Sequence, residues 1–581
     1  MKKRTLARAA ALGMALSLAA GTGSGLAEEA VEAPWWKTTV AYEIYVKSFK
    51  DSNGDGIGDL KGICSELDYL KEMNVGALWL TPCYASPQAD NGYDVADYYA
   101  IDPAYGTMED MEELIREAGK RGIRIVMDLV FNHTSRENAW FQASKASRDG
   151  EMSDWYIWAD PKADGSAPNN WRSIFGGPAW EYEEERGQYY LHTFLPEQPD
   201  LNWENPAVRA ALTDVARFWL DKGVGGFRMD AVTYIKKPAG FPDGTPDARD
   251  GTAGIHGMTA NTEGILDFLR EFKAAVRDGA DIFTVGEANG VPAGDLPQWV
   301  GPDGVFDMIF EFGHVLVDLP DEMNWCKVRA WTLPEWKTFF AQSQETTSRT
   351  GGWVPVFLEN HDQPRSVSHF LPEGADRVQG AKALAVLLLT MRGTPFIMQG
   401  EELGFVNVAW EIGEYNDIST LNHYTFALGE GYTEEEALAG VHRFARDSAR
   451  TPMQWDDSAQ AGFTSGKPWM PVYADYALYN AGTEAADKDS VLNTYRALTA
   501  LRQEHGALTL GSWRELFHED GAIFAYERET AGETAVVLLN LSLADAVYDA
   551  SCVEGARQVF GTCGESEKGL LKPLEAVIFI R

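Results

Sequence analysis

Residues 107–133 read TMEDMEELIREAGKRGIRIVMDLVFNH. Thr107, with Asp110 three residues on, predicts a capped helix start, and Met111, Leu114 and Ile115 recur at helical spacing. Gly122 stops that helix before the apolar run IRIVMDLV, so a helix feeds a buried strand. Residues 205–232, NPAVRAALTDVARFWLDKGVGGFRMDAV, repeat the scheme. Asn205 and Pro206 open a helix, Val208, Ala211, Leu212, Val215, Phe218 and Trp219 recur along it, and Gly223 ends it before GGFRMDAV. Units of this kind build a parallel sheet, because parallel neighbours need a crossover connection.

Working outward from these two units, apolar runs predict strands around residues 41–45, 76–80, 123–129, 226–230, 283–287, 306–310, 354–358 and 394–398. Eight strands alternating with helices predict an α/β fold, a closed (β/α)8 TIM barrel. The polar, Trp- and Tyr-rich stretch 134–204 is longer than a crossover needs and predicts a small domain inserted after the third strand. Near the C-terminus the pattern changes to short alternating runs, AIFAYER, TAVVLLNLS and AVIFIR, without helices between them. The expected organisation is a leader at 1–27, barrel at 36–133 and 205–505, an inserted subdomain at 134–204 and a C-terminal antiparallel β-sandwich at 506–581.

Composition excludes several classes. With 45% hydrophobic and 24% charged residues, the 581-residue chain is folded and not disordered. Fifty Lys and Arg against 87 Asp and Glu give a net charge of −37, which repels a phosphate backbone and makes nucleic acid an unexpected partner. Lys2, Lys3, Arg4 and Arg8 precede an Ala- and Leu-rich run ending at Gly25-Leu26-Ala27. That pattern predicts a signal peptide cut after Ala27, a protein secreted to the periplasm or medium, and no stable membrane insertion once the segment is removed. Cys552 and Cys563 flank CVEGARQVFGTC, read as two strands and a turn, and are the expected disulfide pair; no CxxC spacing suggests zinc.

In such a barrel the functional groups gather at the C-terminal strand ends. Asp128, Asn132 and His133 close the third strand, Arg228 and Asp230 the fourth and Glu287 the fifth, and His361 with Asp362 follows the seventh. Asp230, Glu287 and Asp362 in one mouth suit glycosidic cleavage, in which one carboxylate attacks the anomeric carbon while a carboxylic acid protonates the leaving oxygen. Near the first strand, Asp51, Asn53, Asp55, Gly56 and Asp59 set oxygen side chains at alternate positions around a tight turn, as a Ca²⁺ loop does. The expected ligands are Asp51, Asn53, Asp55, the Ile57 carbonyl and Asp59, with Mg²⁺ as a substitute.

DLVFNH (128–133), GFRMDAV (226–232), TVGE (284–287) and ENHD (359–362) resemble, in order, the four short motifs of the α-amylase superfamily. QPDLN (198–202), DSNGDGIGDL, ADNGYD and ARTPMQWD extend the resemblance to the oligo-1,6-glucosidase and α-glucosidase branch. The resemblance implies a retaining, exo-acting α-glucosidase of short oligosaccharides with Asp230 as nucleophile, Glu287 as acid and then base, and Asp362 as transition-state stabiliser. It implies a substrate-binding set of Asp90, Tyr93, His133, Arg228, His361 and Arg446. In that set Tyr93 is a platform, Asp90 pairs with Arg446, Arg228 keeps Asp230 ionised, and both histidines donate to sugar hydroxyls. Two positions depart from the branch. Ala231 stands where α-1,6-preferring relatives usually carry Val, which leaves α-1,4 and α-1,6 linkages both open, and Glu359 stands where Asn is often seen. The alternatives are a sucrose isomerase or transglucosidase, disfavoured by the lack of an RLDRD segment between Glu287 and His361, and a non-catalytic binding barrel, disfavoured by the presence of all three acids.

Overall fold

The computed structural model describes residues 33–321 and 324–581. The expected leader at 1–27 lies outside them. Eight parallel strands form one sheet: β1 (Ala41–Ile44), β2 (Ala77–Leu80), β3 (Arg124–Leu129), β4 (Gly226–Met229), β5 (Phe283–Glu287), β6 (Met308–Phe310), β7 (Pro355–Val356) and β8 (Thr394–Met398). Their spatial order is β6-β5-β4-β3-β2-β1-β8-β7, a sheet winding in one direction. The seam between β6 and β7 is filled by Phe310 against Phe357, ring centroids 5.0 Å apart. All eight predicted strands are present, six of them shorter than expected by one to three residues at one or both ends.

The two deciding units fold as their sequences dictate. Thr107 and Asp110 cap α1 (Met108–Lys120) reciprocally, and Met111, Leu114 and Ala118 face the core. Asn205 caps α2 (Pro206–Asp221), which buries Val208, Leu212, Val215 and Trp219.

Two departures from the sequence reading matter for the site. The inserted stretch holds a helix, Ala139–Ala146, and a three-stranded antiparallel sheet. It is also not self-contained, since Trp171–Arg172 pairs in parallel with Ala253–Gly254 from the segment after β4. A second excursion follows β8. There α3 (Ile418–Glu430), α4 (Glu434–Phe444) and α5 (Asp447–Arg450) carry charged side chains over the barrel mouth.

The C-terminal strands β9 (Ser512–Leu516), β10 (Ile523–Thr530), β11 (Glu533–Asn540), β12 (Arg557–Gly561) and β13 (Ala576–Ile580) form an antiparallel sheet in the order β9-β10-β11-β13-β12. Alternation sorts their side chains. Phe524, Tyr526, Val537, Leu539 and Ile578 join the barrel's own core, while Ile523, Ala525, Val536, Leu538 and Phe579 form a separate cluster on the other face. Residues 35–581 accordingly pack as one unit. Cys552 and Cys563 are both free thiols, contrary to the disulfide expectation. Cys552 sits in a 3₁₀ turn, Ala550–Val553, not in a strand, and Cys563 is exposed beside Gln379. Among the described residues no helix is long and apolar enough to cross a membrane.

Candidate active site

Register places the central charges. Arg228 on β4 lies directly opposite Asp128 on β3, and Glu43 on β1 lies opposite Met398 on β8 and Trp79 on β2. Asp230 and Glu287 rise at the next level on their strands, where β4 and β5 end. Arg228 is the hub. Its Nη1 donates to Asp128 at 2.9 Å and to Asp230 Oδ1 at 2.7 Å, and its Nη2 donates to Glu287 Oε2 at 2.7 Å. The Ala231 amide also donates to Glu287 Oε2, at 2.9 Å, from a backbone held in the left-handed region at φ 45°. The expected Arg228–Asp230 ion pair is present, and Asp128 and Glu287 share the same guanidinium, so one cation serves three carboxylates. Burial, with Glu287, Asp128 and Asp362 behind it, pushes the Asp230 carboxyl well above the usual range while Arg228 pulls against them.

Across the mouth Asp362 is clamped. Arg446 Nη1 and Arg450 Nη2 donate to its Oδ1 at 3.0 and 2.5 Å, and His361 Nε2 lies 3.2 Å from Oδ2. Burial works upward on this carboxyl, but His361, Arg446 and Arg450 overcome it and hold it well below the usual range. His361 Nδ1 is 2.5 Å from Glu43 and Nε2 is 2.6 Å from the Tyr93 hydroxyl, so both ring nitrogens are engaged inside the protein. Burial pulls this imidazole down, yet Asp362 and Glu43 prevail and raise it to about 9. His361 thus holds Asp362 and stacks on Tyr93, rings 8° from parallel, where a direct bond to a sugar hydroxyl had been expected.

Asp90, Tyr93, His133, Asp230, Glu287, Asp362 and Arg446 all line one cavity of about 590 Å³, while Arg228 and His361 lie beneath its floor. Asp90 Oδ2 accepts from Gln198, and burial pushes its carboxyl up to about 7 against Arg446 and Arg450. The expected Asp90–Arg446 pair is the longest that Arg446 makes, 3.5 Å, against 2.6 Å to Asp417 and 3.0 Å to Asp362. His133 is buried, with Nε2 3.1 Å from both the Tyr93 carbonyl and the Gln198 amide, and burial lowers it to about 4. A larger cavity, about 850 Å³, lies between the inserted stretch and the segment after β4, residues 235–268; its Lys236 and Lys237 are already paired with Glu204 and Asp200, and none of the residues above reaches it.

Sequence reasoning missed Glu43, Asp417 and Arg450. Glu43 carried a signal, a carboxylate inside an otherwise apolar buried strand. Arg450 sits in the quoted ARTPMQWD without an assigned role, and Asp417 carries no motif. Glu359 has a visible function: it accepts from Arg365 at 2.7 Å and from the Ser366 amide at 2.5 Å, and Arg365 in turn donates to the Gln399, Ser448 and Ala449 carbonyls. This pair ties the Asp362 loop to the backbone from which Arg446 and Arg450 extend.

In the Asp51–Asp59 loop, Asp51 accepts from the amides of Asn53, Gly54 and Gly56, Asn53 from Asp55, and Asp55 from Ile57. Asp59 caps the following helix through Gly62 and holds Ser52. Gly56 at φ 95° admits no side chain, since a Cβ would stand 1.9 Å from the Lys467 carbonyl. These are hard oxygen donors, and a carboxylate that accepts amide bonds retains lone pairs for a cation. Among the described residues no three His, Cys, Asp or Glu side chains are grouped to hold a metal, so a cation here would depend on the Asn53 amide and the Ile57 carbonyl as well.

The profile described as "Alpha amylase, catalytic domain" matches residues 43–511. An oligo-1,6-glucosidase of Parageobacillus thermoglucosidasius is 44% identical over 521 residues, covering 89% of this chain and 92% of that protein. The solved trehalose-6-phosphate hydrolase of Bacillus licheniformis superposes with a TM-score of 0.88 at 39% identity, covering 94% of this chain and 99% of the other. The trehalulose synthase of Pseudomonas mesoacidophila MX-45 gives 0.87 at 40%, covering 94% and 100%. These matches correct the expectation of export: the oligo-1,6-glucosidases and trehalose-6-phosphate hydrolases that the chain resembles are cytoplasmic enzymes.

Proposed function

The chain belongs to the alpha-amylase family and is an α-glucosidase-type glycoside hydrolase, and from that premise we propose that it removes single terminal α-glucosyl units from short neutral oligosaccharides with retention of configuration. The observation that carries this reading is the single Arg228 guanidinium joining Asp230 and Glu287, 2.7 Å from each. Two carboxyls on one fork suit the separation of roughly 5 Å at which an acid and a nucleophile leave no room for water between them.

Asp230 Oδ attacks the anomeric carbon as its bond to the leaving oxygen breaks, and Glu287 gives that oxygen a proton. Water then loses a proton to Glu287 and attacks the same carbon, releasing Asp230. Asp362, held ionised by Arg446 and Arg450, faces the positive charge that develops on the sugar ring. Asp90, with Arg446 and Tyr93 around it, closes the far end of the site and supports exo action on one terminal glucose.

Charge favours a neutral substrate. The cavity is lined by Asp90, Asp230, Asp247, Glu287, Asp321 and Asp362 against Arg446, a field that repels a phosphorylated sugar. The test is glucose release from maltose, isomaltose, sucrose and trehalose 6-phosphate, with the product anomer followed by NMR. Initial α-glucose from maltose or isomaltose supports the reading. Initial β-glucose, or a preference for trehalose 6-phosphate, overturns it. Isomerised products from sucrose would support the glucosyl-transfer alternative, which the likeness to trehalulose synthase favours.

A structural Ca²⁺ or Mg²⁺ at Asp51, Asn53, Asp55, the Ile57 carbonyl and Asp59 is part of the proposal. The expected outcome is a melting temperature lowered by chelation and restored by either ion; an unchanged melting curve with no metal in elemental analysis removes it.

A further inference from the structure

The chemistry above concerns the glucose that is transferred. The same cavity also shows how the group it leaves is selected. The glycosidic oxygen must lie beside Glu287, so the leaving sugar occupies the part of the cavity reached from the loop after β5. Two unlike walls line it there. Phe312, Leu316, Leu319 and Trp325 form an apolar side, and His256 and Asn289 a polar one. Asn289 follows Glu287 by two residues, and His256 opens the short helix His256–Thr259 in the segment that pairs with the inserted stretch.

His256 is held, not loose. The Tyr234 hydroxyl is 2.5 Å from its Nδ1, with the rings edge to face at 5.8 Å. Its Nε2 has no hydrogen-bond partner among the described residues and lies beside Gly290, where an added Cβ would be 3.9 Å away. The contact itself leaves donor and acceptor to the tautomer; in the uncharged tautomer that has its proton on Nε2, Tyr234 donates to Nδ1 and the ring offers one donor to the cavity. No motif points to this residue.

We propose that His256, oriented by Tyr234, is a specificity-determining residue for the leaving sugar, donating from Nε2 to one of its hydroxyls while the apolar wall takes the sugar's less polar face. This rests on the α-glucosidase reading. Specificity built on a hydrogen bond is steep, because the wrong leaving group leaves a polar atom of the site unpaired.

The test compares maltose and isomaltose with α-D-glucosyl fluoride, whose leaving group is too small to touch either wall. His256→Ala lowers the ratio of disaccharide to fluoride kcat/KM by about tenfold or more, chiefly through KM. His256→Gln recovers part of it by restoring a donor, and Tyr234→Phe falls between. Equal losses on disaccharide and fluoride, or a ratio within about twofold of the unmodified enzyme for His256→Ala, overturn the proposal. Failure of the underlying reading shows separately, as no glucose release from any of the three substrates by the unmodified enzyme.

Discussion

Two sets of buried arginines do different work. At the barrel mouth Arg228, Arg446 and Arg450 donate to carboxylates, and those carboxylates outweigh burial to raise all three guanidiniums above their ordinary range. At the seam between barrel and C-terminal sheet, Arg502 and Arg528 donate to backbone carbonyls alone. Arg528 reaches those of Thr390, Leu508, Thr509, Gly511 and Ser512, and Arg502 those of Leu389, Gly393 and Leu508. With no counter-charge, burial lowers Arg502 to about 10 and Arg528 well below the usual value. At the mouth, arginine holds Asp362 ionised and works against the burial that raises Asp230. The seam uses it as a planar multiple donor that satisfies carbonyls a helix end leaves over.

The largest expected effect tests the mouth. Asp230→Asn keeps the shape and the Arg228 contact but removes the attacking charge, so hydrolysis falls by about a thousandfold or more while the melting temperature stays near the unmodified value. Near-normal turnover would sink the assignment. The second breaks the seam. Arg528→Met strands several buried carbonyls and lowers unfolding free energy by roughly 2–4 kcal/mol, with kcat unaltered. Denaturant titration read beside turnover on the folded enzyme checks both halves, and a kcat loss without destabilisation would erase the distinction.

The contrast also explains what the sequence made legible. Strand ends announce Asp230, Glu287 and Asp362 because a barrel directs its C-terminal strand ends at one point, and the deciding helix-strand units carry their own caps. Asp417 and the Asp362 clamp were not legible, because they come together from segments 88 or fewer residues apart whose meeting depends on how α3 to α5 fold over the mouth. Arg502 and Arg528 were invisible for a different reason: a partner that is a backbone carbonyl leaves no residue type to look for. The insertion was legible as a length excess, but its pairing with residues 253–254 was not, since two-residue strands have no periodicity to read.

A smaller effect separates mouth from seam by pH. The neutral form of Asp90 is the one the fold favours, so its contribution is full below the ordinary carboxylate value of about 4 and is lost as pH rises through about 7. Asp90→Asn removes that loss, and the variant gains melting temperature over the unmodified enzyme at pH 8 more than at pH 5. If Asp90 also binds sugar hydroxyls, KM rises in the variant and loses its inflection near pH 7. A parallel shift of both melting curves at the two pH values would show that Asp90 does not titrate in this range.

The smallest effect concerns a pair of methyls beside the nucleophile. Ala231 lines the cavity, and its amide bonds Glu287, so any side chain there meets both the substrate and the acid's backbone partner. A β-branched residue at φ 45° is strained, at a cost of about 1–3 kcal/mol, so Ala231→Val should lower the melting temperature as a seam change would, yet by less than Arg528→Met. Its functional signature differs from anything at the seam. The smaller Ala leaves space for the aglycone angle of an α-1,4 bond, so the unmodified enzyme should cleave maltose readily, and Val should tilt the ratio toward isomaltose by about tenfold, within the range that one or two methyl groups can discriminate. The measurement is kcat/KM on both disaccharides for both forms. An unmodified enzyme that strongly prefers isomaltose, with a ratio insensitive to Val, would place linkage control elsewhere, on the His256 wall or the apolar wall facing it.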